Sequence, residues 1–180
     1  MNRFLTLLCF LLPYSISAGV YGSLEFGDSR ETVTRKLQKS PLVKQTLDST
    51  FIARTGLNGV FTCKNKLAGQ TYTLYFDWSE SGGLKEITLR SSELSSKEFS
   101  SSLNESWKQA SDLFSKVYGM PVQDANYPSK SDFKNDGILM THIWHKGARQ
   151  SILIGPGIKK GKCFLTIRFV NKRVDPVRTP

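Results

Sequence analysis

Histidine, cysteine and long apolar runs are all scarce in this chain, and each scarcity excludes a chemistry. The 180 residues contain two histidines and three cysteines. Both histidines, His142 and His145, lie in a segment that alternates as a strand. They therefore point to opposite faces, and one strand cannot aim both at a single ion. No cysteine cluster stands ready to complete a four-ligand shell, so no metal site and no cofactor is expected. The G-x-S-x-G pattern of a nucleophile elbow is absent. Gly155 to Lys162 (GPGIKKGK) has the glycines and lysines of a phosphate loop but not its spacing. Five residues separate Gly155 from Gly161, where four are needed, and Cys163 follows Lys162 in place of Ser or Thr. The segment also joins two strand patterns, so no helix N-terminus is present to meet a phosphate. It reads as a basic hairpin tip, with Lys159, Lys160 and Lys162 as an anion or partner contact.

One apolar run stands out, Phe4 to Leu12, and it is too short to span a bilayer, which takes about 20 residues. Arg3 precedes it, Pro13 ends it, and Ser15, Ser17 and Ala18 follow as small residues. That order reads as a secretory signal peptide over residues 1–18. Residues 19–172 are then expected to form a single domain in two halves, 24–95 and 96–172, with 173–180 as a frayed basic tail. A periplasmic or secreted location is expected, with no transmembrane segment after cleavage. Cys9 leaves with the leader, and since it follows Leu8 in mid-run, lipid modification there is not expected. Cys63 and Cys163 remain as an even pair in an oxidising compartment. Alternation places each on the core side of its strand, so a Cys63–Cys163 disulfide is expected.

Charge is lopsided, with 25 basic and 15 acidic residues for a net +10. Arg3 is the only charge in the leader, so its removal takes +10 to +9. Such a surface favours anionic partners. A nucleic-acid surface would also need aromatics on an exposed basic face. Tyr72, Phe76, Trp78, Phe99, Trp107 and Phe114 instead fall on inward stripes, so no nucleic-acid partner is expected.

The order of elements is legible from periodicity. Asp28 and Glu31 have the spacing of a capping box, and Val33 and Leu37 then repeat at helical spacing. Pro41 re-aims the chain, and Leu42, Val43 and Leu47 read as a second short turn of helix. Strand patterns follow at Val60 to Cys63, Thr71 to Trp78 and Lys85 to Arg90, the last two joined by Ser79 to Gly83. Ser95 and Glu98 form another capping box. Phe99, Leu103, Trp107, Ala110, Phe114 and Val117 trace a long helix, closed by Gly119 and Pro121. Asp124 to Gly137 reads as a loop. Strands Ile138 to His145, Gln150 to Ile154 and Cys163 to Val170 come last. Helix then antiparallel meander, twice over, is an α+β layout with helices on one face of the sheet.

Phe26-Gly27-Asp28-Ser29, with Val33 and Leu37, resembles the F-G-x-S-x-x-x-V-x-x-x-L opening of many small exported bacterial proteins. The Tyr118-Gly119-Met120-Pro121 helix exit, a later strand bearing Trp144 and an I-x-I strand (Ile152, Ile154) also recur among them. That group is similar in layout to the β-lactamase inhibitor protein and to the small outer-membrane assembly lipoprotein. The resemblance implies a tandem helix-plus-sheet fold; its motifs are caps and core positions, which speak for fold and not for activity. No contact residue is carried over from it, and the lipoprotein's anchoring cysteine has no counterpart here. The expected function is a non-catalytic binding protein that engages another exported protein or an anionic envelope component. The alternative is an envelope hydrolase with a dispersed carboxylate site, for which Asp77, Glu80 and Glu86 flank one hairpin. Convergent acids of raised pKa would favour the hydrolase.

Overall fold

In the computed structural model, which describes residues 19–47 and 56–177, ten strands join in one sheet with two α-helices. In chain order these are α1 (Arg30–Lys39), β1 (Val43–Gln45), β2 (Phe61–Cys63), β3 (Tyr72–Trp78), β4 (Leu84–Ser91) and β5 (Leu94–Ser95). There follow α2 (Asn104–Tyr118), β6 (Gln123–Asp124), β7 (Gly137–Ile138), β8 (His142–Lys146), β9 (Gln150–Lys159) and β10 (Lys162–Val170). The class is α+β. The strand order is β1-β2-β3-β4-β10-β9-β8-β6, with β5 added beside β10 and β7 beside β9, and each of these ladders is antiparallel. Strands from before and after α2 are therefore joined through the β4–β10 ladder.

Short polar side chains satisfy free backbone N–H groups where α1 begins and where the turns leading into α2 begin. At α1 the cap is Ser29, whose Oγ accepts the Thr32 N–H at 3.2 Å. Asp28, the expected cap, instead accepts the Glu25 N–H and pairs with Lys36 at 2.8 Å. The Ser95–Glu98 box does form, with the Glu98 carboxylate accepting the Ser95 N–H at 3.0 Å. It opens a 3₁₀ turn and then a π turn over Phe99–Leu103, so the α-helix proper starts later, at Asn104. Gly119 closes α2 at φ +82°, a conformation open to glycine at little cost.

Alternation along the strands sorts side chains into two layers. One layer carries Tyr72, Leu74, Phe76, Ile87, Leu89, Leu165, Ile167, Phe169, Ile152, Ile154 and Trp144, all buried in the main core. On this side α2 lays Phe114 within 6.2 Å of both Trp144 and Phe169. Trp144 also donates its indole N–H to the Gly119 carbonyl at 2.9 Å, fixing the end of α2 to the sheet. Val33 and Leu37 of α1 join the same cluster. Each large side chain so buried contributes about 1.5–3 kcal/mol. Val117, read as the last residue of the α2 stripe, is 63% exposed.

Several expectations are corrected. Leu42 to Leu47 is not a helical turn. Val43–Gln45 pairs with β2, burying Val43 and leaving Leu42 and Leu47 exposed. Part of the Asp124–Gly137 loop is regular, with Asp124 in β6 and a 3₁₀ turn at Lys130–Asp132. The Ile138–His145 strand is split by a bulge at Leu139–Met140, β7 and β8 both lying on β9. The tail is tied down through Val177. Val174 N–H donates to Ser151 Oγ, the Val174 carbonyl meets His145 Nε2, and Val177 N–H donates to Gln123. The leader reading (1–18) and the end of the tail (178–180) lie outside the described residues.

The Cys63–Cys163 bond is not formed; both cysteines are free and buried. They do share the core-side layer, because Thr62 lies opposite Thr73, Tyr72 opposite Ser91, and Cys163 alternates with Leu165. However, β3 and β4 stand between β2 and β10. Three strand steps of about 4.8 Å give roughly 14 Å, twice the reach of a disulfide, which needs Cα atoms within about 7 Å. Cys63 Sγ instead lies 3.1 Å from the Tyr21 hydroxyl, and Cys163 Sγ 3.2 Å from the Ser95 carbonyl. Burial pushes both thiols' pKa up, so neither forms a ready thiolate.

Candidate binding groove on the second sheet face

The second layer of side chains on β3, β4, β10 and β9 is polar and mixed. In register across the sheet run Thr73–Arg90–Thr166–Gly155, flanked on one side by Tyr75–Thr88–Arg168–Leu153 and on the other by Phe164–Gly157. Part of this face is covered. Val174 packs on Ile143, Leu153 and Val170, with Met140. Arg168 closes a two-pronged pair with Glu86 at 2.6 and 2.7 Å, and this hydrogen bonding holds the guanidinium pKa above its ordinary value. Between these covers and the β9–β10 hairpin a groove of about 400 Å³ stays open, lined by Tyr75, Thr88, Arg90, Ile138, Lys159, Phe164 and Thr166 among others.

Glycine shapes this groove. A methyl added at Gly157 would come within 2.5 Å of the Phe164 ring, so only glycine lets the ring lie flat across its neighbour strand. The Arg90 guanidinium lies over the ring, 3.7 Å from its centroid. At a partly exposed site such a cation–π contact is worth roughly 0.5–1 kcal/mol, and it orients the guanidinium. One Arg90 nitrogen donates to Glu93 at 2.8 Å. Directly opposite Arg90 in register, Thr166 is 1% exposed and its hydroxyl has no partner among the described residues.

The sequence expectations divide cleanly here. The Gly155–Lys162 turn is much tighter than read, because β9 continues to Lys159 and only Lys160 and Gly161, at φ +49° and +72°, make the turn. Lys160 N–H donates to Asp136 at 3.0 Å, which holds the strained residue in place. Lys159 lines the groove and faces Lys162 across the ladder. Pro156, unable to donate, sits at the bulge where no ladder bond is required, and its carbonyl accepts the Leu139 N–H.

The carboxylate pair of the hydrolase alternative does not behave as one. Asp77 and Glu86 are register partners, but Glu86 is held by Arg168 and Asp77 by Lys85 at 3.0 Å. The hydrogen bond from Lys85 lowers the Asp77 pKa, the opposite of what a general acid needs. Glu80 is an exposed loop residue outside the groove.

The histidines also part company, as alternation requires. His142 is buried beneath α2, stacked on Trp144 at 5.4 Å and edge-on to Trp107 at 5.3 Å. Its Nε2 lies 3.0 Å from Asp124, and its Nδ1 3.1 Å from the Thr141 hydroxyl. A carboxylate–imidazole–hydroxyl series is the arrangement of many hydrolases. Here, though, Thr141 is 3% exposed and its oxygen already accepts the Trp107 indole N–H at 2.8 Å. The Thr141 hydroxyl also donates to the Ile154 carbonyl at 3.1 Å, so it is fully committed and the series is a polar network in the core. Burial lowers the His142 pKa against the opposing pull of Asp124. Among the described residues no group of three or more His, Cys, Asp or Glu could hold a metal, and no helix is long and apolar enough to cross a membrane.

Sequence reasoning missed Arg90, Phe164 and Thr166 as site residues. The available signal was their outward phase on strands whose other phase is apolar, combined with a glycine-bearing strand beside Phe164. Comparison with protein-family models, with curated proteins and with solved structures finds no match.

Proposed function

We propose that this chain is an exported, non-catalytic binding protein that holds an anionic envelope component on the open face of its sheet. The observation that carries the reading is the groove itself: Arg90 and Lys159 flank a wall of Phe164 and Ile138 on a face whose neighbouring stretches are already covered. Small-molecule and cofactor sites have this character, an apolar wall with a few placed polar groups. In this reading both helices occupy one side of the sheet and leave the other to the ligand. The helix-then-meander order met twice, and with it the likeness in layout to the β-lactamase inhibitor protein group, belong to the proposal. Export rests on the leader over residues 1–18, and the net charge of +10 is in keeping with an anionic partner.

Two experiments test it. The exported protein should begin near Gly19 on N-terminal sequencing; an intact Met1 would end the export reading. Solubilised envelope material passed over immobilised wild-type protein should leave an anionic species bound, released by salt and not retained by Arg90→Ala. Equal retention by the variant would remove the groove from the function.

A further inference from the structure

Resting on that reading, we infer that the groove recognises a monocarboxylate carried on a small apolar body. Four features converge on it. The Arg90 guanidinium is oriented over Phe164 and spends one hydrogen bond on Glu93. Its planar fork suits a carboxylate better than a lysine would. The Thr166 hydroxyl, opposite Arg90 in register, is buried in the cavity wall without a partner. A buried hydroxyl left unpaired is a cost to the fold, which a carboxylate oxygen seated beneath the guanidinium would relieve. Lys159 stands exposed at the rim and makes no ion pair among the described residues. Ile138, 42% exposed, and Ile158 supply a place for carbon, with the buried Phe164 ring in the same lining.

Size and charge narrow the ligand. About 400 Å³ is at the small end of ligand pockets, which suits a small molecule and not a folded domain. Two acids border the site, Glu93 on Arg90 and Asp136 on the Lys160 N–H. Two carboxylates thus offset the two cations, so the border repels a dianionic phosphate more than a monoanion, and a monoanion is held by hydrogen bonding to Arg90 and Thr166 more than by net charge.

The test is calorimetric titration of the purified protein with octanoate and phenylacetate, their neutral amides and inorganic phosphate. At least one of the two acids should bind at a single site, its amide on the order of ten-fold weaker or worse, as expected when a charged hydrogen bond is lost. Phosphate should not saturate. Which acid wins distinguishes a chain-like from a ring-like body. Arg90→Gln should weaken the acid about ten-fold, and Thr166→Val, which keeps the shape of the strand and removes an unpaired hydroxyl, should weaken it measurably while holding or raising the melting temperature of the free protein. Lys159→Gln, at an exposed position, should weaken it without touching the fold. Amides binding as well as acids, phosphate binding as well as either, or indifference to all three substitutions would each overturn the inference. If neither acid binds while Arg90-dependent retention of envelope material persists, the carboxylate assignment fails and the binding reading stands. If that retention is also absent, both fail.

Discussion

Gly155→Ala is the sharpest probe of the sheet's construction, because its sign depends on one close approach. Gly155 is a glycine without positive φ, so alanine suits its backbone. In open space such a change stabilises by roughly 0.4–1 kcal/mol through the unfolded chain. Here the added methyl would overlap the Leu139 carbonyl oxygen and lie 2.8 Å from Met140 Cα. Both are backbone atoms, so no side-chain rotation can relieve the contact. The chain between β7 and β8 must move off β9. That movement strains the Leu139 N–H to Pro156 bond at 3.0 Å and the Thr141 N–H to Ile154 bond at 2.9 Å. At about 0.5–1.5 kcal/mol for each lost bond, and with the Thr141 hydroxyl network disturbed beside them, the expected cost is about 2–3 kcal/mol. For a domain of this size that lowers the melting temperature by roughly 4–12 °C. The assay is urea and thermal unfolding followed by circular dichroism. Gly137→Ala is the control, since a methyl there meets nothing closer than 4.0 Å and no positive φ is lost. It should be neutral or stabilising. A Gly155→Ala protein as stable as wild type, or more so, would refute the packing of Leu139–Met140 across β9.

Three further outcomes follow from other parts of the fold. Burial lowers the His142 pKa, so the unfolded chain binds this proton more readily, and stability should fall as pH drops through the ordinary histidine value of about 6.5; denaturation from pH 7.5 to 5 should show this slope, and His142→Gln should flatten it. Thiol titration of the unfolded, unreduced protein lacking residues 1–18 should count two free thiols, with neither reacting readily in the native state; a bonded pair would contradict the placement of β3 and β4 between them. Ser29→Ala should cost about 1 kcal/mol by removing the α1 cap, measured by urea unfolding, whereas Asp28→Ala should act only through its loss of Lys36 and the Glu25 N–H.

Much of the fold was legible because local periodicity and partner-independent chemistry agree. Val33 and Leu37 repeat at helical spacing and are buried; Tyr72, Leu74 and Phe76 alternate and are buried; Ser95 and Glu98 close their box. Errors came where a neighbour overrode the pattern. Asp28 satisfies the capping rule, yet Lys36 and the Glu25 N–H claim its carboxylate, leaving the cap to Ser29 one residue on. Gly155-Pro156-Gly157 has turn composition, but proline at a bulge and glycines beneath Leu139 and Phe164 allow a continuous strand.

By itself the sequence determined the class of each long element, the side of each strand that faces the core, and the lack of a catalytic motif, since these depend on residues a few positions apart. Tertiary structure alone decided which strands are neighbours. Placing β4 against β10 put two strands between β2 and β10 and so separated Cys63 from Cys163. The same placement set Arg90 opposite Thr166, 76 positions apart in the chain. Pairing between distant strands depends on the summed burial of both faces and on the closing of long loops. No window of residues carries that sum, so the groove exists only once the sheet is assembled.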